Sequence, residues 1–390
     1  MGNRTICVVT GSRAEYGLLS PLLQEFEKDR DIKLQLVVTG MHLSPEFGLT
    51  VEAIERDGYP IEDKIEMQLS SDTPSAITKS MGVGLIGFAD AFRRLTPDLV
   101  VILGDRYEML VVAQAAMLAT IPIAHVHGGE STQGAIDEAI RHAITKMSHI
   151  HFTASEAYRR RVIQLGEHPG RVYNLGAIGL DNIAKLKLLN QEELEDSLQF
   201  RLGRVNFLVT YHPTTLGTQS SRELTEQLLQ ALDEFPDARI LFTMPNSDAD
   251  GKIMARLVDE YVAARSERTA LFASLGQLRY LSALSLADVV IGNSSSGIIE
   301  APALGTPTVN IGNRQSGRVK GPTVIDCDTD RASVVTAIRR ALASDFRAET
   351  IGKASLYGTG NVAPRMKEIL KNVQLNGILH KVFYDLEVRE

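Results

Sequence analysis

The sequence predicts an α/β protein of two domains, each a parallel β-sheet wrapped by helices, facing each other across a cleft. Three observations carry that reading. Apolar runs of four to six residues, too short for helices, recur along the 390-residue chain between segments of helical spacing. A charged stretch without strong turn chemistry, Leu189 to Gly203, divides these runs into two series. Loops carrying Gly, Ser and charged side chains follow the runs, at the strand ends where an open parallel sheet binds its ligands. Repeated strand–helix alternation implies parallel sheets with right-handed crossovers. The expected domains are residues 1–185 and 204–355, with the boundary near 180 to 204 and a helical segment, 356–390, packing back on the first domain.

In the first series, Ile6 to Val9 is a strand rich in β-branched residues. It leads through Thr10-Gly11-Ser12-Arg13-Ala14-Glu15-Tyr16-Gly17 into a helix whose Leu18, Leu22 and Phe26 share a face. Backbone N–H groups of that loop and Arg13 suit a phosphate, although the loop is not the Gly-x-Gly-x-x-Gly of dinucleotide folds. A solvated or capping Arg13 is the alternative. A second strand, Leu34 to Val38, ends in Thr39-Gly40-Met41-His42, which puts His42 at a strand end. Residues 44–75, with Pro45, Pro60 and Pro74 and the stretch Ser70-Ser71-Asp72, read as an irregular, mobile loop. Ile77, Met81, Leu85, Phe88 and Phe92 mark a helix over Ser75 to Leu95.

The richest stretch is Asp98 to Lys146. Asp-Leu-Val-Val-Ile-Leu ends in Gly104-Asp105-Arg106, Ile-Pro-Ile-Ala-His-Val ends in His127-Gly128-Gly129-Glu130, and a helix follows from Asp137. Asp105, Arg106, His125, His127 and Glu130 are thereby assigned to one cleft. His125 lies inside the apolar run, so its ring is expected to satisfy a core hydrogen bond instead. For Asp137 two readings stand: proton transfer, or an i, i+4 ion pair with Arg141. Glu138, Arg141 and His142 are candidates for orienting the reactive groups. Ile150 to Thr153, a helix over Ser155 to Leu165, a strand around Val172 and a helix from Asp181 complete the series.

The second series has strands at Phe207 to Thr210, Arg239 to Thr243, Thr269 to Phe272, Val289 to Ile291 and Thr308 to Ile311. His212 follows the first. Ser294-Ser295-Ser296-Gly297 follows the fourth and opens a helix carrying Glu300. Small residues let a diphosphate approach the helix N-terminus, and Glu300, one turn in, suits the hydroxyls of a ribose. A Ser294 cap on a core helix with a solvated Glu300 is the competing reading. Asn313-Arg314-Gln315 follows the last strand.

A hydrophobic fraction of 44%, a formal charge of −7 and a pI near 5.8 describe a chain with a large core and argue against nucleic acid as the main partner. No apolar run approaches the roughly 20 residues of a membrane span. Cys7 and Cys327 lack metal or redox spacing and read as reduced thiols. A soluble cytoplasmic protein, without a metal, is expected.

Taken in order, these motifs resemble the hydrolysing UDP-N-acetylglucosamine 2-epimerases that supply precursors of sialic-type nonulosonic acids. The matching pieces are Gly11 to Tyr16, Gly104-Asp105-Arg106, His127 to Glu130, Asp137 to Lys146, His212-Pro213, Ser294 to Glu300 and Asn310 to Arg318. The resemblance implies the GT-B architecture of two Rossmann-like domains, a UDP-sugar in the interdomain cleft, no cofactor, and a homodimer or homotetramer. It matches Asp105, the His127 position and Asp137 to acid/base positions. It matches Arg13, Arg106, His212, Ser294, Ser295 and Glu300 to UDP-binding ones. Enzymes acting on UDP-N-acetylglucosamine usually carry Glu where this chain has His127, with a loop one residue shorter. His there is closer to enzymes that use the 2,4-diacetamido-6-deoxy sugar of legionaminic acid synthesis.

The implied chemistry sets the remaining expectations. The C2 proton is not alpha to a carbonyl, so departure of UDP from C1 has to lead, after which an ordinary base removes that proton and leaves a glycal. Water then adds at C1 and an acid protonates the opposite face of C2. Asp105, His127, Glu130, Asp137 and His212 are the candidate catalytic residues. Arg13, His42, Arg106, Arg141, His142, Ser294, Ser295, Ser296, Gly297, Glu300 and Arg314 are the candidate binding residues. A GT-B glycosyltransferase and a silent UDP-sugar sensor are the alternatives; the former lacks an aromatic-rich acceptor groove, and the latter leaves the clustered acids without purpose.

Overall fold

The computed structural model describes residues 3–69, 71, 73–132, 135–213, 220–244, 251–350 and 355–387. The chain divides into two compact units. The first comprises Met1–Glu130, Asp137–Asn182 and Tyr357–Glu390, and the second Ser131–Ile136 and Ile183–Leu356.

The first unit is built on seven parallel strands: β1 (Arg4–Thr10), β2 (Ile32–Thr39), β3 (Ile61–Ile65), β4 (Leu99–Leu103), β5 (Ile123–Val126), β6 (Ile150–Thr153) and β7 (Val172–Asn174). Their order in the sheet is β3-β2-β1-β4-β5-β6-β7. Period-two alternation divides the side chains between the faces. Ile6 and Val8 of β1 enter one core with Phe26, Leu36 and Phe152, while Cys7 and Val9 enter another with Phe88, Ile102 and Val112. The helix Val362–Asn372 adds Met366 and Leu370 to the first of these cores. Its N-terminus is held by Asp181, whose carboxylate accepts from the Val362 and Ala363 amides at 2.8 and 2.7 Å, where the helix dipole favours negative charge.

The second unit continues with β8 (Val205–Thr210), β9 (Ala238–Thr243), β10 (Thr269–Phe272), β11 (Val289–Gly292), β12 (Thr308–Ile311) and β13 (Val324–Cys327), all parallel, in the order β10-β9-β8-β11-β12-β13. Each sheet reverses its strand order once, at β1/β4 and at β8/β11. A crevice opens beyond such a reversal because the helices before and after it cover opposite faces. The Gly11 loop and Gly104-Asp105-Arg106 follow β1 and β4; His212 and Ser294 follow β8 and β11. Each unit therefore carries its candidate site loops at its own switch point.

Two expectations are corrected. Residues 44–75 are not an irregular loop: they contain the helix Val51–Arg56 and edge strand β3, paired in parallel with β2. The sequence Ile-Glu-Asp-Lys-Ile hides that strand because only Ile65 is buried; its order comes from backbone pairing. Ser70 and Asp72 lie outside the described residues. Leu189 to Gly203 contains the helix Gln191–Leu198, started by a capping box in which Asn190 and Glu193 satisfy each other's backbone amides. Its Leu194 and Leu198 pack in the core of the second unit. Both cysteines are free. Among the described residues no helix is long and apolar enough to cross a membrane.

Candidate active site

In the first unit the organising side chain is Arg141, which the helix Asp137–Met147 places almost wholly out of solvent. It forms an ion pair with Asp105 and lies 3.7 Å from Glu130 Oε2, and its Nη1 donates to the His127 carbonyl at 3.1 Å. One guanidinium thereby joins the loop after β4 to the turn after β5. A buried cation of this kind is sustained only by carboxylates and oriented carbonyls.

The His127-Gly128-Gly129-Glu130 turn has a geometry the sequence alone does not dictate. His127 lies beyond the end of β5, in the left-handed region at φ 65°, a strained conformation for a residue with a Cβ. Gly129, at φ 77°, is required: a Cβ there would stand 2.4 Å from the Tyr158 carbonyl oxygen. The turn folds Glu130 back so that its Oε1 lies 2.6 Å from His127 Nδ1. With Nδ1–H donated to the carboxylate, the neutral ring presents Nε2 as an acceptor, and that atom is buried with no partner among the described residues. This is the arrangement of an oriented imidazole base.

His125 has both ring nitrogens engaged in the core. Its Nε2 lies 2.8 Å from the Gly104 carbonyl and its Nδ1 3.1 Å from the Thr145 hydroxyl. Burial pushes its pKa down to about 3. It is the core histidine that the sequence suggests.

Around the Gly11 loop, Arg106 binds Glu108 through two nitrogens at 3.1 and 3.0 Å, both side chains being buried. Arg13 is the first residue of the helix Arg13–Glu27, capped by Ser12, and is partly exposed. Glu15 is nearly inaccessible, and its Oε2 accepts from the Gly11 amide at 2.7 Å. Burial raises its pKa to about 8, against the pull of Arg106 and with the help of Glu108. Sequence reading passed over Glu15 and Glu108, because no local pattern marks an acid as buried.

His42 requires a correction. Its Nε2 lies 3.0 Å from Thr10 Oγ1 and its Nδ1 2.8 Å from Thr50 Oγ1, the ring is buried, and burial pushes its pKa down to about 3. Both nitrogens are occupied, so the ring braces β1 rather than reaching for a ligand. His142 pairs with Glu138 across one helical turn, Nε2 to Oε1 at 3.3 Å.

In the second unit the organising residue is Asn293, which sequence reading also passed over. Its side chain accepts from the His212 amide at 2.7 Å and donates to the His212 carbonyl at 2.8 Å. Its own carbonyl accepts from Arg314 Nη1 at 3.1 Å and Gln315 Nε2 at 2.7 Å. One fully buried amide thus ties together the loops after β8, β11 and β12. Gly292, at φ 139°, precedes it, and a Cβ there would stand 1.9 Å from the Thr210 carbonyl oxygen.

The turn Ser294-Ser295-Ser296 opens the helix Ser296–Ala303 without a side-chain cap from its N-cap residue, Ser295; Ser294 Oγ instead accepts from the Ser296 amide at 3.4 Å. Gly297 packs against Thr308, and Glu300 is buried one turn in. Residues 214–219, including Thr214 and Thr215 beside His212, lie outside the described residues.

A family model described as UDP-N-acetylglucosamine 2-epimerase matches residues 24–371. The chain belongs to this family. Over 99% of its length it is 42% identical to the GDP/UDP-N,N'-diacetylbacillosamine 2-epimerase (hydrolyzing) of Campylobacter jejuni, covering 100% of that protein. It is 38% identical to the polysialic acid biosynthesis protein P7 of Escherichia coli, with 98% of each covered. It is 36% identical to the UDP-N,N'-diacetylbacillosamine 2-epimerase (hydrolyzing) of Legionella pneumophila, with 97% and 98% covered. Among solved structures, the UDP-GlcNAc 2-epimerase of Neisseria meningitidis bound to UDP-GlcNAc superimposes with a TM-score of 0.79 at 16% identity, covering 94% of this chain and 99% of that one. The fold is accordingly the GT-B class that the sequence implies.

Proposed function

We propose that this member of the 2-epimerase family is a hydrolysing enzyme acting on a UDP-linked 2-acetamido sugar, releasing UDP and the free 2-epimer through a glycal. The observation that carries the reading is the buried Arg141, which gathers Asp105, Glu130 and the His127 turn at one strand edge. Two proton-transfer groups are needed on opposite faces of C2, and this cluster supplies them: a carboxylate at Asp105 and an imidazole whose Nε2 is held open by Glu130. Asp137, in the first turn of the helix that bears Arg141, is a third candidate.

The leaving UDP requires donors and cations at its phosphates. Arg13 and the Ser294 to Gly297 turn fill that role in this reading, with Glu300 assigned to the ribose and His212, Arg106 and Arg314 assigned as further UDP-binding residues.

The sugar we assign is the 2,4-diacetamido-6-deoxy type. Support comes from the relatives at 42% and 36% identity that are named for N,N'-diacetylbacillosamine, against 31% for a Neisseria meningitidis protein named UDP-N-acetylglucosamine 2-epimerase. His127 is the residue we hold responsible, and the product would enter nonulosonic acid synthesis of the sialic or legionaminic kind. Incubation with each UDP-sugar alone, read by NMR, tests the proposal. Free 2-epimer and UDP are expected; unchanged substrate would fit a sensor, and the absence of epimerised sugar a transferase. The His127→Glu variant is expected to shift kcat/KM toward UDP-N-acetylglucosamine, and an unchanged ratio of the two substrates would remove His127 from the choice.

A further inference from the structure

At the edge of the first unit, away from the loops described above, a cavity of about 260 Å³ opens between the starts of β6 and β7 and the C-terminal segment. Its walls are formed by His149, Glu167, His168, Arg171, His380 and Lys381. The one carboxylate is already satisfied. Glu167 accepts from Lys146 Nζ at 2.6 Å and from Lys381 Nζ at 2.7 Å, and lies 3.0 Å from His151 Nε2. Burial opposes its ionisation, yet these partners push its pKa down to about 2. Lys381 is also occupied, donating to the Lys146 and Ser148 carbonyls at 2.7 and 2.6 Å.

What is left over in the cavity is a set of donors. His149 is nine-tenths buried, and its Nδ1 accepts from the Ile123 amide at 3.2 Å. Its neutral ring therefore carries the proton on Nε2, which has no partner among the described residues. His168 repeats the device at the rim: its Nδ1 accepts from the Gly170 amide at 3.1 Å, leaving Nε2–H outward. Arg171 spends Nη1 on the Ile378 carbonyl at 3.0 Å, and no carboxylate pairs with its guanidinium among the described residues. Burial, helped by the positive charges of Lys381 and Arg171, pushes the His149 pKa down to about 4.

A concave surface with two fixed imidazole N–H donors, a guanidinium that no carboxylate pairs among the described residues, and its one carboxylate engaged by two lysines is complementary to an oxyanion. We propose that this cavity is a second ligand site, binding the phosphate group of a small phosphorylated molecule through His149 Nε2–H, His168 Nε2–H and Arg171. It is separate from the candidate active site. His149 brackets Ile123 at the start of β5, whereas His127 lies past the other end of that strand, roughly 13 Å away along a strand rising about 3.3 Å per residue. Inorganic phosphate and a sugar phosphate share the recognised group.

The test is calorimetric titration of the full chain with inorganic phosphate and, separately, with a hexose 6-phosphate. Ionic strength is matched with chloride, and saturating UDP fills any phosphate site used by the nucleotide. One saturable event per chain is expected. The better ligand identifies the source: tighter phosphate assigns the free ion, tighter hexose phosphate a phosphorylated sugar. Arg171→Gln, which keeps a donor for Ile378, should weaken binding about tenfold, as loss of a charge-assisted contact does. His168→Gln, an exposed position that leaves the fold alone, should weaken it about threefold, with UDP affinity unchanged in both variants. Absence of saturable binding in the wild type, or binding unaltered in both variants, would overturn the proposal.

Discussion

The two units solve the same problem, holding loops at a switch point, with opposite chemistry. In the first, position is set by charge: Arg141 between Asp105 and Glu130, and Arg106 on Glu108. In the second it is set by neutral groups: the Asn293 amide, two glycines and backbone carbonyls. Buried ion pairs are poor stabilisers, since desolvation consumes most of the Coulombic gain, but they hold groups whose protonation matters. A buried amide carries no charge to tune, which suits a surface that only has to receive a phosphate. Under the proposed function, the proton-transfer groups belong to the first unit, and the second joins Arg13 and Arg106 in holding UDP.

The largest effect should come from breaking the charged side. Asp105→Asn keeps the shape and a partner for Arg141 but removes the carboxylate. Turnover is expected to fall by about a thousandfold while UDP still binds. Calorimetry alongside product assay checks both, and loss of UDP affinity at unchanged turnover would move Asp105 from proton transfer to holding UDP.

On the neutral side, Gly292→Ala forces a Cβ into the Thr210 carbonyl and a side chain into a glycine conformation. A loss of about 3 kcal/mol in urea unfolding is expected. Asn293→Ala should cost about 2 kcal/mol, since it removes both hydrogen bonds to the His212 backbone and leaves those groups buried. UDP affinity should fall with it. Unchanged affinity would show that His212 needs no such tether.

The smallest effect sharpens the electrostatic half. Glu15 has a folded pKa near 8, raised above its unfolded value chiefly by burial. Such a group favours the fold fully below its unfolded pKa, and that contribution is lost as pH rises through the folded value. Glu15→Gln should therefore gain stability relative to wild type between about pH 5 and 8, with no further change above. Parallel stability curves for the two proteins across that window would show that Glu15 ionises normally.

Much of the fold was legible in the sequence because buried parallel strands are continuous apolar runs, and such runs occur at β1, β4, β8 and β11. Strand β3 was not, since its order comes from backbone pairing with β2 and only Ile65 is buried. At the site, the different roles of His125 and His127 do not follow from the strand period, which puts residues two apart on one face; they differ because His127 lies past the end of β5 in the left-handed region. Nor was the turn that draws Glu130 onto His127 legible, because it depends on the Tyr158 carbonyl crowding Gly129. Arg141 and Asn293 escaped as centres for the same reason: each joins loops from different strands, and nothing local records which loops meet.

The most direct test of the account is the fate of the hydrogen on C2. With the 2,4-diacetamido-6-deoxy UDP-sugar in D2O, elimination and rehydration at the Asp105 and His127 cluster should yield free 2-epimer carrying deuterium at C2, because the proton leaves one face and solvent supplies the other. Mass spectrometry and NMR of the released sugar read the position directly. One deuterium at C2 is the expected result; a product that retains its original C2 hydrogen would contradict the glycal route and the role given to the cluster.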